Sequence, residues 1–186
     1  MRSRRPQTSL NADEIGALLR APNRRYRTGC RDYALMSLFV ACGLRCAEAL
    51  DLELRDVNLT TAEVFVRHGK GGSPRSVWLD DGALEALREW RRRRPDLGMY
   101  VFCTRTGKRL NDRWVRRMVK RYAVEAGILK DVHPHTLRHT FGTVLARSGA
   151  PIRAVQTALG HRNLNTTMQY THVSDDDVRQ MMRGKK

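Results

Sequence analysis

The stretch Pro134-His135-Thr136-Leu137-Arg138-His139, followed by Leu159-Gly160-His161 and then Tyr170, decides how this chain is read. Proline suits the first turn of a helix, where its missing N–H costs nothing, so Pro134 marks a helix start. His135 and Arg138, three apart, then share one helix face. Backbone donors and the positive dipole at that helix end favour a bound phosphate. With a second imidazole at His161 and a phenol at Tyr170, the series holds what is needed to grip a phosphodiester and attack it.

Working outward, Asn11 with Glu14 three residues later predicts a capped helix running to about Arg20. An apolar helix is expected from about Arg31 to Ala41, stopped by Gly43, and a third from near Arg45 carrying Ala49, Leu50 and Leu52. The period then shortens. Val57/Leu59, Val64–Val66 and Val77–Leu79 read as short strands, with the glycine-rich His68–Pro74 as a hairpin tip. Asp80-Asp81 opens a helix through Arg94 that Pro95 ends, Tyr100–Phe102 is a short extended piece, and Asn111 caps a helix reaching Gly127. Pro134 and Pro151 open two more, the second closed by Gly160. A helical piece around Thr166–Tyr170 and an acidic-capped tail helix from Ser174 complete the expectation. The predicted fold is mainly α with a small three-stranded antiparallel sheet (α+β). Residues 1–9 are expected to form a flexible basic arm and 10–186 one domain.

The chain of 186 residues carries 35 Lys+Arg against 19 Asp+Glu, a net charge of +16. Charge of that sign points to a polyanion as partner, and nucleic acid is favoured over a membrane surface because no amphipathic basic helix stands out. No apolar run approaches the roughly 20 residues of a membrane span. No apolar segment follows the basic Met1–Pro6, which points to a cytoplasmic protein, nucleoid-associated when bound to DNA. Cys30, Cys42, Cys46 and Cys103 form no CxxC pair and lack a histidine at zinc-ligand spacing, so they read as small buried hydrophobes in a reducing compartment. No acidic cluster with metal-ligand spacing occurs, and neither a metal nor a cofactor is expected.

Arg45 opens a helix after Gly43-Leu44, and two guanidiniums converging on one phosphate can each give bidentate hydrogen bonds and stabilise charge growing in the transition state. The Tyr170 phenol, with an ordinary pKa near 10, needs cations or a base nearby; Arg45, Arg138 and His161 can serve. Lys70, at the hairpin tip, can protonate a departing 5′ oxygen. Glu48, three residues after Arg45, can orient Arg45 or His135. Taken singly, each has a plainer reading: surface or DNA-backbone arginines, a packing tyrosine, a solvated turn lysine and an exposed helix glutamate. Arg113, Arg116, Arg117, Lys120 and Arg121 fall at helical spacings, a DNA-facing stripe. Arg91–Arg94 fit either a helix dipole or phosphate contact.

Gly43-Leu44-Arg45-Cys46-Ala47-Glu48, Gly69-Lys70-Gly71, His135-Thr136-Leu137-Arg138-His139, Leu159-Gly160-His161 and Tyr170-Thr171-His172 occur in one order. This resembles the catalytic domain of the tyrosine recombinases of phage-integrase and Xer type, from about Leu10 to about Met182. The resemblance implies a catalytic set of Arg45, Lys70, His135, Arg138, His161 and Tyr170. In it, arginines and histidines activate the scissile phosphate, the lysine is general acid, and the tyrosine forms a 3′-phosphotyrosyl bond. Glu48 and His139 would support that set. Where the family usually has a second lysine after Gly-Lys-Gly, this chain has Gly72-Ser73-Pro74-Arg75, and Arg75 is assigned to DNA contact.

Many such recombinases precede this domain with a separate helical domain that clamps the far side of DNA. Here about ten residues come first, so the chain reads as a short single-domain member or as a fragment. The implied function is site-specific recombination on double-stranded DNA by a tetramer that is monomeric free in solution, its tail (Val178, Met181, Met182) docking on a neighbour or on its own domain. A type IB topoisomerase shares the chemistry without strand exchange. A DNA-binding regulator without catalysis would lack one of the catalytic side chains, and all are present.

Overall fold

Helix caps set the frame from which the fold is built. Asn11 Oδ1 accepts the Glu14 N–H at 2.8 Å and Glu14 Oε2 accepts the Asn11 N–H at 2.8 Å, a reciprocal cap. Asp80 caps through Ala83 N–H and Asn111 through Arg113 N–H. The computed structural model describes residues 9–67, 74–149 and 151–160. Its helices are α1 (Ala12–Arg20), α2 (Arg27–Cys42), α3 (Cys46–Leu50), α4 (Asp81–Arg93), α5 (Asp112–Glu125), α6 (Pro134–Arg147) and α7 (Ile152–Leu159). A 3₁₀ turn (Leu54–Asp56) leads into strands β1 (Val57–Asn58), β2 (Glu63–Val66) and β3 (Arg75–Trp78). The hairpin tip, the helical piece before Tyr170 and the tail helix lie outside the described residues.

Helix α2 is the hub. It packs chiefly on α4 and α6, and Ala34, Leu35, Met36, Leu38 and Phe39 are fully buried. It starts four residues before the expected Arg31, because its first turn, Arg27-Thr28-Gly29-Cys30, is too polar to show an apolar period. Gly43 ends it in the left-handed region (φ +59), and a Cβ there would stand 2.3 Å from Phe141 Cδ1. The α2–α3 turn is thereby pressed against α6.

The sheet runs β1-β2-β3, all antiparallel, with Val64 opposite Val77 and Val66 opposite Arg75. Side chains alternate across a strand, so Val64, Val66 and Val77 enter the core while Phe65 and Trp78 face outward. Arg75 is on the inward face with Val77.

Two buried arginines hold loops and helices together. Arg94, read from sequence as a solvated or phosphate-binding helix-end cation, is instead buried and donates Nη2 to the carbonyls of Leu97, Gly98 and Tyr100. Pro95 turns the chain so that these carbonyls curl back on the guanidinium. Arg31 donates Nε and Nη2 to Asp32 Oδ1 at 3.0 and 2.9 Å and lies over the Trp114 ring, while Asp32 Oδ2 accepts the Tyr122 hydroxyl at 3.1 Å. This cluster pins α5 to α2. Asp32→Ala strands a buried guanidinium and should cost about 3–5 kcal/mol. Tyr122→Phe removes one hydrogen bond and should cost about 1 kcal/mol. Chemical denaturation of the two variants checks the contrast.

Candidate phosphodiester-binding site

Glu48 lies five residues after Gly43 and three after Arg45, and its side chain is 1 % exposed. Its Oε2 accepts the Arg45 backbone N–H at 2.8 Å, closing the first turn of α3, and its Oε1 accepts Arg45 Nη1 at 2.7 Å. From β3, Arg75 lays a two-pronged fork on the same carboxylate, Nη1 to Oε1 at 3.2 Å and Nη2 to Oε2 at 3.0 Å. Arg138 Nη1 stands 3.8 Å from Oε2. Burial alone would raise the Glu48 carboxyl, but the hydrogen bonds from Arg75 and Arg45 overcome it and hold the pKa down at about 2. Three guanidiniums around one carboxylate leave a surplus of positive charge.

Arg138 is nearly buried. It donates Nη1 to the Gly43 carbonyl at 2.6 Å and Nη2 to the Leu159 carbonyl at 2.5 Å, tying α6 to the α2–α3 turn and to the end of α7. Arg45 is about one-third exposed. Both line a cleft of about 770 Å³ with His133 and His135 from the start of α6 and Arg116, Arg117 and Lys120 from α5. His133 caps α6, its Nδ1 accepting the Thr136 N–H at 3.2 Å. His135 opens on the cleft. Partial burial, then the neighbouring charges of Arg138, His133, His139 and Arg45, push its pKa below the ordinary 6.5. A phosphate entering the cleft would favour the imidazolium again. His139, next in the chain after Arg138, is also buried.

The structure thus brings Arg45, His135 and Arg138 to one wall with Glu48 behind them. Lys70, His161 and Tyr170 lie outside the described residues. The DNA-facing stripe divides: Arg116, Arg117 and Lys120 line the cleft, whereas Arg113 does not, and Arg121 lies over the Tyr122 ring and pairs with Glu125 at 3.6 Å. Arg116 and Lys120 are partnered by Asp112 and Asp131, and Arg117 makes no ion pair among the described residues. Arg75, assigned from sequence to DNA contact, is turned inward instead, its side chain 8 % exposed on Glu48. The two-residue alternation with Val77 was the signal that could have placed it. Cys30, Cys42 and Cys103 are buried as expected, but Cys46 is only half-buried at the cleft, where burial and then a hydrogen bond to Asp112 push its thiol pKa far up. Among the described residues no group of histidine, cysteine and carboxylate side chains could hold a metal ion, and no helix is long and apolar enough to cross a membrane.

Comparison with known proteins settles the lineage. The model of the phage integrase family matches residues 8–177. The chain belongs to that family. It is 40% identical over 178 residues to the tyrosine recombinase XerD of Staphylococcus saprophyticus and 41% identical to XerD of Staphylococcus aureus, covering 92% of this chain and 60% of each relative. The chain therefore spans about 60% of the length of these curated relatives. Among solved structures it superposes on the XerA recombinase with a TM-score of 0.86 at 32% identity, over 99% of this chain and 67% of that one. It matches the XerH site-specific recombinase, bound to its palindromic difH substrate after cleavage, with a TM-score of 0.82 at 28% identity, over 97% of this chain and 54% of that one. The fold is that of a tyrosine recombinase catalytic domain.

The Glu48 charge cluster predicts a pH dependence. The folded-state pKa, about 2, lies below the ordinary 4.5, so the carboxylate contributes its full stability above about 4.5 and loses it as pH falls toward about 2. Glu48→Gln should lower stability at pH 7 and flatten the acid limb between those values. Unfolding midpoints across pH for both proteins check this; parallel acid limbs would contradict it.

Proposed function

We propose that this protein is a site-specific DNA recombinase that breaks and rejoins strands through a 3′-phosphotyrosyl intermediate. The observation that carries the reading is the convergence of Arg45, His135 and Arg138 on one cleft wall, with Glu48 behind, in a chain of the phage integrase family. In this mechanism Arg45 and Arg138 donate to the non-bridging oxygens of the scissile phosphate, where negative charge grows in the pentavalent transition state. His135 and His161 add donors. The Tyr170 phenolic oxygen attacks phosphorus and gives up its proton to solvent as the P–O bond to the 5′ oxygen breaks, and Lys70 supplies a proton to that leaving oxygen. The phosphotyrosyl ester keeps the energy of the broken phosphodiester, so a 5′-hydroxyl from a second strand reverses the step with no added energy source. Glu48 and His139 support the set, residues 10–186 forming the catalytic domain.

The partner is double-stranded DNA carrying recombination sites, bound across the cleft with Arg116, Arg117 and Lys120 of α5 toward the backbone, and the active assembly is a tetramer on DNA formed from monomers. The similarity to a recombinase captured on its DNA substrate supports this partner. Location in the cytoplasm, on the nucleoid when DNA-bound, follows from it.

Incubation with a nicked suicide substrate carrying the cognate site should yield a covalent protein–DNA adduct on denaturing gels, abolished by Tyr170→Phe. Persistence of the adduct in that variant would remove Tyr170 from the mechanism. Relaxation of supercoiled DNA without recombinant product would favour a topoisomerase instead. For the cleft face, Arg117→Ala should weaken binding to all DNA sequences alike and reduce the slope of log K against log salt by about 1, as expected for one lost phosphate contact. Mobility-shift titrations at several salt concentrations read that slope, and an unchanged slope would place Arg117 off the DNA.

A further inference from the structure

We propose that Arg75 is a positioning residue that locks Glu48 and the Leu159-Gly160 end of α7 to the start of β3, so that Arg45, Arg138 and the close of α7 keep one register. The catalytic consequence rests on the recombinase reading. The guanidinium uses three donor atoms, each on a different demand. Nη1 and Nη2 take both oxygens of Glu48. Nε donates to the Ala158 carbonyl at 3.3 Å, beside the Leu159 carbonyl that Arg138 takes. A helix leaves its last carbonyls without intrahelical partners, and these two arginines supply donors to them from β3 and α6.

Gly160 shows how tightly the clamp closes. It ends α7 in the left-handed region (φ +62), and a Cβ there would come within 2.7 Å of Arg75 Nη1 and 2.9 Å of Cζ. The end of a long side chain usually moves aside, but this one is fixed by the Glu48 fork. The glycine of Leu159-Gly160-His161 therefore makes room for Arg75 as well as turning the chain. Register explains why the arginine reaches inward, since Arg75 pairs with Val66 and shares its face with Val77.

Without the fork, both Glu48 oxygens turn to Arg45 and Arg138, the donors that the reaction needs for phosphate. Lysine keeps the charge but not the planar two-pronged geometry. Loss of Arg75 should therefore slow the chemical step and leave DNA affinity in place.

The test uses the full chain with Arg75→Lys and Arg75→Gln. In free protein, amide hydrogen exchange at Leu159 and Gly160 should speed up in Arg75→Gln while α2 and α5 amides stay protected; unchanged exchange overturns the clamp. On nicked DNA, single-turnover adduct formation should fall about 10–100-fold in both variants, the scale of a small misplacement of reacting groups. The dissociation constant for the same DNA should change by less than about two-fold, because no phosphate contact is lost. A drop in affinity with a shallower salt slope, or full rescue by lysine, would overturn the proposal. Because Arg75 acts in part through Glu48, the combined loss in Arg75→Gln with Glu48→Gln should be clearly smaller than the product of the two single losses; fully additive losses would overturn the coupling. If the wild-type protein itself forms no adduct, the recombinase reading fails, and the exchange experiment still decides the clamp.

Discussion

A single carboxylate, that of Glu48, holds the cationic wall together. Guanidiniums from α3, β3 and α6 crowd one place, and they would repel one another without a buried anion between them. Stranding a charge out of water costs several kcal/mol, and an ion cluster survives burial only when its geometry satisfies every donor and lone pair. Glu48 meets that condition with both oxygens engaged and with the Arg45 backbone N–H as a further donor. The same anion cancels only part of the positive charge. What remains faces the cleft.

The elements around this point are positioned by constraints acting at different ranges. Gly43 turns the chain hard against Phe141 and offers its carbonyl to Arg138. Pro134 and the His133 cap fix the start of α6, so His135 and Arg138 leave it at defined heights. The strand register turns Arg75 inward, and the close of α7 at Gly160 brings two carbonyls within reach of arginines from β3 and α6. Each of these is a short-range rule; their meeting at Glu48 is the tertiary fact.

That distinction explains what the sequence could and could not tell. Caps at Asn11, Asp80 and Asn111, the proline at 134 and the glycine stops at 43 and 160 are local signals, and the helices begin and end close to them. The three-stranded sheet was legible from its alternation. The motif order identified the family, and Arg45, His135 and Arg138, which it singled out, line one cleft. Arg75 and Arg94 were misjudged because an arginine has the same local signature whether it meets water, phosphate or a buried carbonyl. Its partner decides, and Glu48 is 27 residues from Arg75 in the chain. The Arg31–Asp32–Tyr122 cluster escaped for the same reason, its hydroxyl arriving from 90 residues away. The use of the His133 side chain as a helix cap is not encoded in any common capping preference.

The proposed chemistry assigns Arg45 and Arg138 to the negative charge of the scissile phosphate, and that assignment can be probed by removing the charge from the substrate instead of the protein. The direct measurement is adduct formation by wild type and Arg138→Ala on nicked DNA carrying either a normal phosphate or a neutral methylphosphonate at the scissile position. If the arginine acts by neutralising that charge, the deficit of Arg138→Ala should be large on phosphate and should shrink on methylphosphonate. A deficit equally large on both substrates would contradict the account.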